Sequence, residues 1–203
     1  GLETRKVKKL EQAHFALALE GPGYLAPDFY AAQIFSSALG GGMSSRLFQK
    51  IREERGLCYT IFAQSGFHDD TGMLTVYAGT GAEDLADLST LTVDEIKRAA
   101  DDMSEAEVAR AKAQLRASLL MSLESPSAQA ERMARTLAIW GRVPDAAEVA
   151  DRIAAVTVTE VRAHAQALIA QARPALALYG PVKAAPARDA LAAGIGIDRK
   201  SVV

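Results

Sequence analysis

Cysteine is nearly absent from this chain of 203 residues: Cys58 is the single one, so no disulfide framework can form within it. Its flanks are apolar, and it is expected as a reduced core thiol. Histidine is scarce as well. His14, His68 and His164 stand tens of residues apart, and neither His-Glu-x-x-His nor His-x-x-Glu-His occurs. The chain is therefore expected to hold no metal by itself, each histidine being a surface or satisfied core residue. No apolar run approaches the about 18 residues a membrane span needs. The basic cluster near Gly1 is followed by no long apolar region, so this stretch is not expected to be a signal peptide. A start at Gly rather than Met suggests a processed chain or a piece of a longer protein. Charge of one sign is also lacking: the formal net charge is -2 with both signs interspersed, which leaves no footprint for nucleic acid.

What is present is apolar: 49% of the residues are hydrophobic, enough for a substantial core in one large domain. Residues 1–12 read as an irregular, charged lead-in. Ala13 to Leu19 alternates Phe15, Leu17 and Leu19 with smaller residues and predicts a buried strand. Pro27 to Leu39 has helical spacing. Tyr59 to Phe67 and Met73 to Thr80 form two strands joined by hairpin chemistry at 68–72. Helices follow: about Glu83 to Ala100, one opened by a Ser104/Glu107 capping box, one from Ser125-Pro126 to Trp140 with Gly141 as its stop, and two more behind Asp145/Glu148 and Thr157/Glu160. Ala175 to Tyr179 is a last strand. Val182 to Val203 has little period and reads as a tail or linker, so the domain is drawn at 1–181. This order predicts an α+β fold, an antiparallel-rich sheet with helices packed mainly on one face.

The chain is organised around Leu39 to Phe62. Gly40-Gly41-Gly42 can adopt positive φ and leave their N–H groups unscreened. A helix follows with Leu47, Phe48 and Ile51 on one side, Gly56 sits just past its end, and Cys58 to Phe62 is rich in β-formers. The glycines could cradle an anion at the helix start, but they follow a helix rather than a strand, and the P-loop lysine is missing. They could equally form a tight helix-to-helix turn, or let a peptide backbone come close. No Gly-x-Ser-x-Gly elbow exists. Glu53-Glu54 and Asp69-Asp70 are ordinary solvated carboxylates. Arg52 lies one turn before Gly56 and Tyr59 just after it, so both could face one concavity and stabilise a polarised carbonyl. Equally, Arg52 could merely snorkel and Tyr59 merely pack.

The run Leu39-Gly40-Gly41-Gly42-Met43-Ser44-Ser45-Arg46-Leu47-Phe48, followed by Arg52-Glu53-Glu54-Arg55-Gly56-Leu57-Cys58-Tyr59, resembles the carboxyl-terminal half of zinc peptidases of the pitrilysin/insulinase family, most of all bacterial relatives of the mitochondrial processing peptidase. The likeness runs on to about Gly180. It implies two like α+β halves closing as a clamshell around an unfolded peptide. Zinc, the inverted His-x-x-Glu-His helix and the general-base glutamate would belong to the amino-terminal half, on the same or a separate chain. By the same resemblance, Arg52 and Tyr59 match the pair that reaches across to the substrate carbonyl. Gly40, Gly41 and Gly42, with Met43 and Arg46, would lie on the substrate-handling surface. Expected partners are that half, a peptide substrate and, as an option, further copies of the chain; the expected place is a bacterial cytoplasm. The alternative of the same fold is a non-catalytic scaffold or substrate-presenting subunit.

Overall fold

The computed structural model of the chain describes residues 2–196. Its centre is a five-stranded sheet built from β1 (Glu3–Val7), β2 (Ala13–Gly21), β3 (Thr60–Phe67), β4 (Gly72–Thr80) and β5 (Ala175–Gly180), in the order β1-β5-β2-β4-β3. β2 pairs antiparallel with β4 and β5, and β4 with β3, whereas β1 runs parallel to β5. The sheet is thus mixed, though antiparallel-rich as expected. The helices are α1 (Phe29–Gly40), α2 (Leu85–Asp102), α3 (Glu105–Ser122), α4 (Pro126–Trp140), α5 (Ala146–Ala155), α6 (Val158–Ala170) and α7 (Arg188–Ile195).

Strand alternation decides which side the helices cover. Phe15, Leu17 and Leu19 of β2, Leu74, Val76 and Ala78 of β4, Ile61 and Ala63 of β3, and Leu176 and Leu178 of β5 all point the same way. They are buried with Ile34, Phe35, Leu85, Leu88, Ile96, Val161 and Ala165 from the helices in one core. The opposite face shows His14, Phe62, Thr75, Tyr77 and Tyr179, all half-buried or exposed. One corner holds an aromatic cluster. Tyr24, Phe29, Phe67 and Trp140 pack with ring centroids 4.6 to 6.2 Å apart, and through Trp140 they dock α4.

The cap signals fold as the spacing predicts. Ser104 with Glu107 and Thr157 with Glu160 form reciprocal capping boxes, Ser125 and Asp145 cap α4 and α5, and Gly141 ends α4 at φ 67°. Two expectations need correction. The lead-in contains β1, and the presumed tail contains α7, with Val182, Ala185, Leu191 and Ile195 in the core. The two segments hold each other. Arg5 donates to the carbonyls of Val182, Ala185 and Pro186, and Glu3 accepts the Arg188 N–H at the start of α7 (2.8 Å). Neither has a local period to betray it; the remainder of the expected tail, 197–203, lies outside the described residues.

A further long-range tie holds the centre of the chain. Arg46, its side chain only 10% exposed, forms a fork on Glu107 (2.8 and 2.9 Å) and also pairs with Asp102. Glu107 simultaneously accepts the Ser104 N–H and hydroxyl. Burial pulls the Glu107 carboxyl up, but the bonds from Arg46 and Ser104 outweigh it and hold its pKa at about 2. Because this lies below the unfolded value of 4.5, the stabilisation is complete above that pH and is lost as the pH falls toward 2. Thermal unfolding should therefore show Glu107→Gln costing on the order of 2 kcal/mol at neutral pH, with the deficit shrinking in acid, whereas Asp102→Asn, at an exposed carboxylate, should cost less than about 1 kcal/mol. Equal losses at both positions would contradict this division.

The end of α1 sets a second test. A Cβ on Gly40 would lie 2.3 Å from the backbone nitrogen of Ala63, whereas one on Gly42 would meet only the flexible Gln114 side chain at 3.3 Å. Gly40→Ala must push α1 away from β3 and should cost about 1–3 kcal/mol or more in denaturant titration. Gly42→Ala should fall within about 0.5 kcal/mol of the parent.

Candidate functional site

The glycine segment is built by latches rather than by left-handed backbone. Positive φ occurs at Gly56, Gly141 and Gly180, and not at Gly40, Gly41 or Gly42. Gly40 is buried against Ala63, and Gly41 (φ -81°, ψ 2°) donates its N–H to the Ser37 carbonyl at 2.8 Å. Two glutamine amides then fix the loop: Gln114 donates to the Gly41 carbonyl (2.7 Å) and Gln49 to the Met43 carbonyl (2.6 Å). Held this way, Met43 projects from the loop, 75% exposed. Arg46 is turned inward to Glu107 and Asp102, so its donors serve the scaffold and its place is beneath the loop. A groove of about 720 Å3 starts at Gly41 and Gln114 and follows β3 from Ala63 to His68, between α1, α3 and α4. Since β3 is an edge strand, one wall of this groove is the outer rim of the sheet.

After the loop the expected helix forms, but Phe48–Glu53 winds as a π-helix. Glu54 donates to the carbonyl of Gln49, and Leu57 to that of Ile51. Leu47 and Ile51 are wholly buried and anchor the turn. Arg52 is half-exposed. Its guanidinium carbon sits 4.6 Å from the centroid of the Phe48 ring, and its nearest carboxylate, Glu53, is 3.6 Å away across exposed side chains. Gly56 (φ 66°) then reverses the chain, as expected of it. Tyr59 donates its N–H to the Gly79 carbonyl (2.9 Å) and exposes 64% of its surface. The arginine lies near this strand entry: burial pushes the Cys58 thiol up to about 11, and the charge of Arg52 pulls it back in part. Arg52 and Tyr59 therefore flank the Gly56 turn at one end of the sheet. Phe48, which the sequence marks only as part of an apolar stripe, is the member of this group that sequence reasoning passed over. Its i,i+4 spacing to Arg52 was the available signal.

The histidines do not converge. His14 lies 2.8 Å from the Tyr77 hydroxyl, the buried His164 is 2.8 Å from an Asp28 carboxylate oxygen, and His68 sits in the hairpin loop. Among the described residues no three His, Cys, Asp or Glu side chains form a group that could hold a metal ion, so zinc does not fit this chain's own side chains. Nor, among the described residues, is any helix long and apolar enough to cross a membrane.

Comparison with known proteins places these features in a family. The chain is 36% identical over 177 residues to an uncharacterized zinc protease of Streptomyces coelicolor, covering 87% of this chain and 38% of that protein. It is 36% identical over 181 residues to the uncharacterized zinc protease YmxG of Bacillus subtilis, covering 88% and 43%. The chain thus spans about two fifths of the length of these relatives. In fold it is similar to a chain of complex III2 from Candida albicans (TM-score 0.88, 22% identity, 97% of this chain and 50% of that one). It is also similar to a conserved protein from Enterococcus faecalis (TM-score 0.76, 24% identity, 88% and 41%). Residues 1–115, more than half of the chain, match the peptidase M16 inactive domain, and the protein belongs to that zinc-peptidase family as this domain.

Proposed function

We propose that the chain is the substrate-binding and transition-state-supporting half of a zinc metalloendopeptidase that acts on peptides or unfolded segments, with zinc held by a separate amino-terminal half. One observation carries this reading: half-exposed Arg52 lies over the Phe48 ring at the end of the sheet where the exposed Tyr59 enters β3, and among the described residues its only carboxylate contact is the 3.6 Å approach to Glu53. Arg46 on the same stretch is the contrast, its donors being taken by scaffold carboxylates.

The chemistry follows from what these two groups can donate. Hydrolysis of a peptide bond builds negative charge on the scissile carbonyl oxygen, and donors already aimed at that position favour the transition state over the ground state. Arg52 offers a fixed cation with several N–H groups, and Tyr59 a hydroxyl on a rigid ring. An extended peptide also finds a matching surface here. The free edge of β3 supplies backbone partners, Gly41 lines the start of the groove, and Met43 offers a flexible apolar contact. The zinc and the group that activates water belong, on this reading, to the amino-terminal half, and the bacterial relatives make a bacterial cytoplasm the proposed setting. A second reading, a non-catalytic scaffold or substrate-presenting subunit, draws on the likeness to a chain of complex III2. A zinc-binding sequence in the adjoining half favours the peptidase, and its absence the scaffold.

Steady-state kinetics on an unstructured peptide test the first reading in the complete enzyme. Arg52→Ala and Tyr59→Phe should each lower kcat by on the order of 10²–10³. Rates within a few-fold of the parent would make both residues structural. Metal analysis gives a separate check: the isolated chain, dialysed and concentrated, should carry no stoichiometric zinc and cleave no peptide.

A further inference from the structure

We propose that Phe48 is the positioning residue for Arg52, its ring serving as a neutral platform that fixes the guanidinium plane while leaving the N–H donors free. The inference rests on the reading of Arg52 as a donor to the scissile carbonyl and adds the means by which that donor is aimed.

The geometry points to a platform and not to a core filler. Phe48 is half-exposed and is absent from the buried cluster that takes in its neighbours Leu47 and Ile51. The Arg52 guanidinium carbon lies over its ring, 4.6 Å from the centroid, well inside the range of cation–π attraction. Such stacking uses the face of the guanidinium, whose hydrogens all lie in its plane and point outward. A carboxylate partner would do the opposite. It would occupy two donors and cancel the charge, which is the fate of Arg46 on the same stretch. Glu53 is the rival for Arg52, at 3.6 Å and well exposed, where solvent weakens the pair. The π-helical winding completes the device. The i,i+5 bond from Glu54 to Gln49 widens the turn, the bond from Leu57 to Ile51 closes its end over Gly56, and the buried Leu47 and Ile51 fix it against the core. Phe48 and Arg52 thereby share one face at the rim, and neither can slide without unwinding the turn.

A double-mutant cycle in the complete enzyme, read as kcat and KM on an unstructured peptide, tests this. Phe48→Leu should lower kcat by roughly 3- to 10-fold with KM little changed, and Phe48→Tyr, which keeps the ring, should stay near the parent. In the Arg52→Ala background the same Phe48→Leu change should have no further effect, because nothing remains for the ring to aim. An equal loss in both backgrounds would mark Phe48 as general packing and overturn the inference, as would a parental kcat for Phe48→Leu. Should Phe48→Leu not fold, Phe48→Met, of similar volume, replaces it in the cycle. The failures are separable: a parental rate for Arg52→Ala itself defeats the reading of Arg52, whereas a large loss there with additive Phe48 effects defeats the platform alone.

Discussion

The ion pair between Arg46 and Glu107 ties the entry of the π-helical turn to the first turn of α3, and the placement of everything at the sheet's rim depends on that tie. Glu107 is at once the acceptor for a buried guanidinium and one arm of a helix cap, so a single carboxylate couples the glycine loop to the helical layer. Charge buried this way is tolerated when it is paired and hydrogen-bonded, and here Asp102 adds a third contact to the guanidinium while Ser104 donates to the Glu107 carboxylate. With the loop fixed, the π-helical turn, Gly56 and the start of β3 follow in a defined direction. The two arginines of this stretch thus divide the labour, one neutralised inside and the other kept solvated and unspent.

Much of this could be read in the residues because it was local. Capping boxes, the hairpin at 68–72 and the Gly141 stop involve partners a few positions apart, and each formed as its spacing predicts. The layer order followed from period alone. What escaped was determined at a distance. β1 is a charged edge strand ordered by backbone pairing to β5, and α7 is alanine-rich with a weak stripe; each is stabilised by the other's side chains. The glycine triplet suggested left-handed backbone, yet Gly40 is small because Ala63 is close, a fact that belongs to the packing of α1 on β3. The π-helical winding likewise has no sequence period of its own.

The site was legible in part. Arg52 and Tyr59 are placed on either side of a turn by the Gly56 signal, and the structure sets them at one end of the sheet. Arg46 carries the same charge in the same motif, but its acceptors lie on α2 and α3, so only the fold could show it turned inward. Of the scattered histidines, His14 pairs with Tyr77 and His164 with Asp28, far apart in the fold. On the proposed function, this surface would be half of a chemical arrangement, with donors for a developing charge and an edge for an extended chain.

The mutual hold of β1 and α7 bears on how the chain acquires its fold. Glu3 and Arg188 are separated by nearly the whole sequence, so their contact closes a loop whose entropic cost is met only after the intervening layers have packed. The antiparallel core of β2, β3 and β4 contains the nearer pairings, including the hairpin, and can assemble first. Until β1 arrives, β5 is an open edge, with unpaired backbone along one side and the power to recruit any other strand. The charged side chains of β1 therefore do more than cover the sheet at equilibrium. They replace the open edge of β5 with a short, charged strand, an edge that recruits other strands poorly.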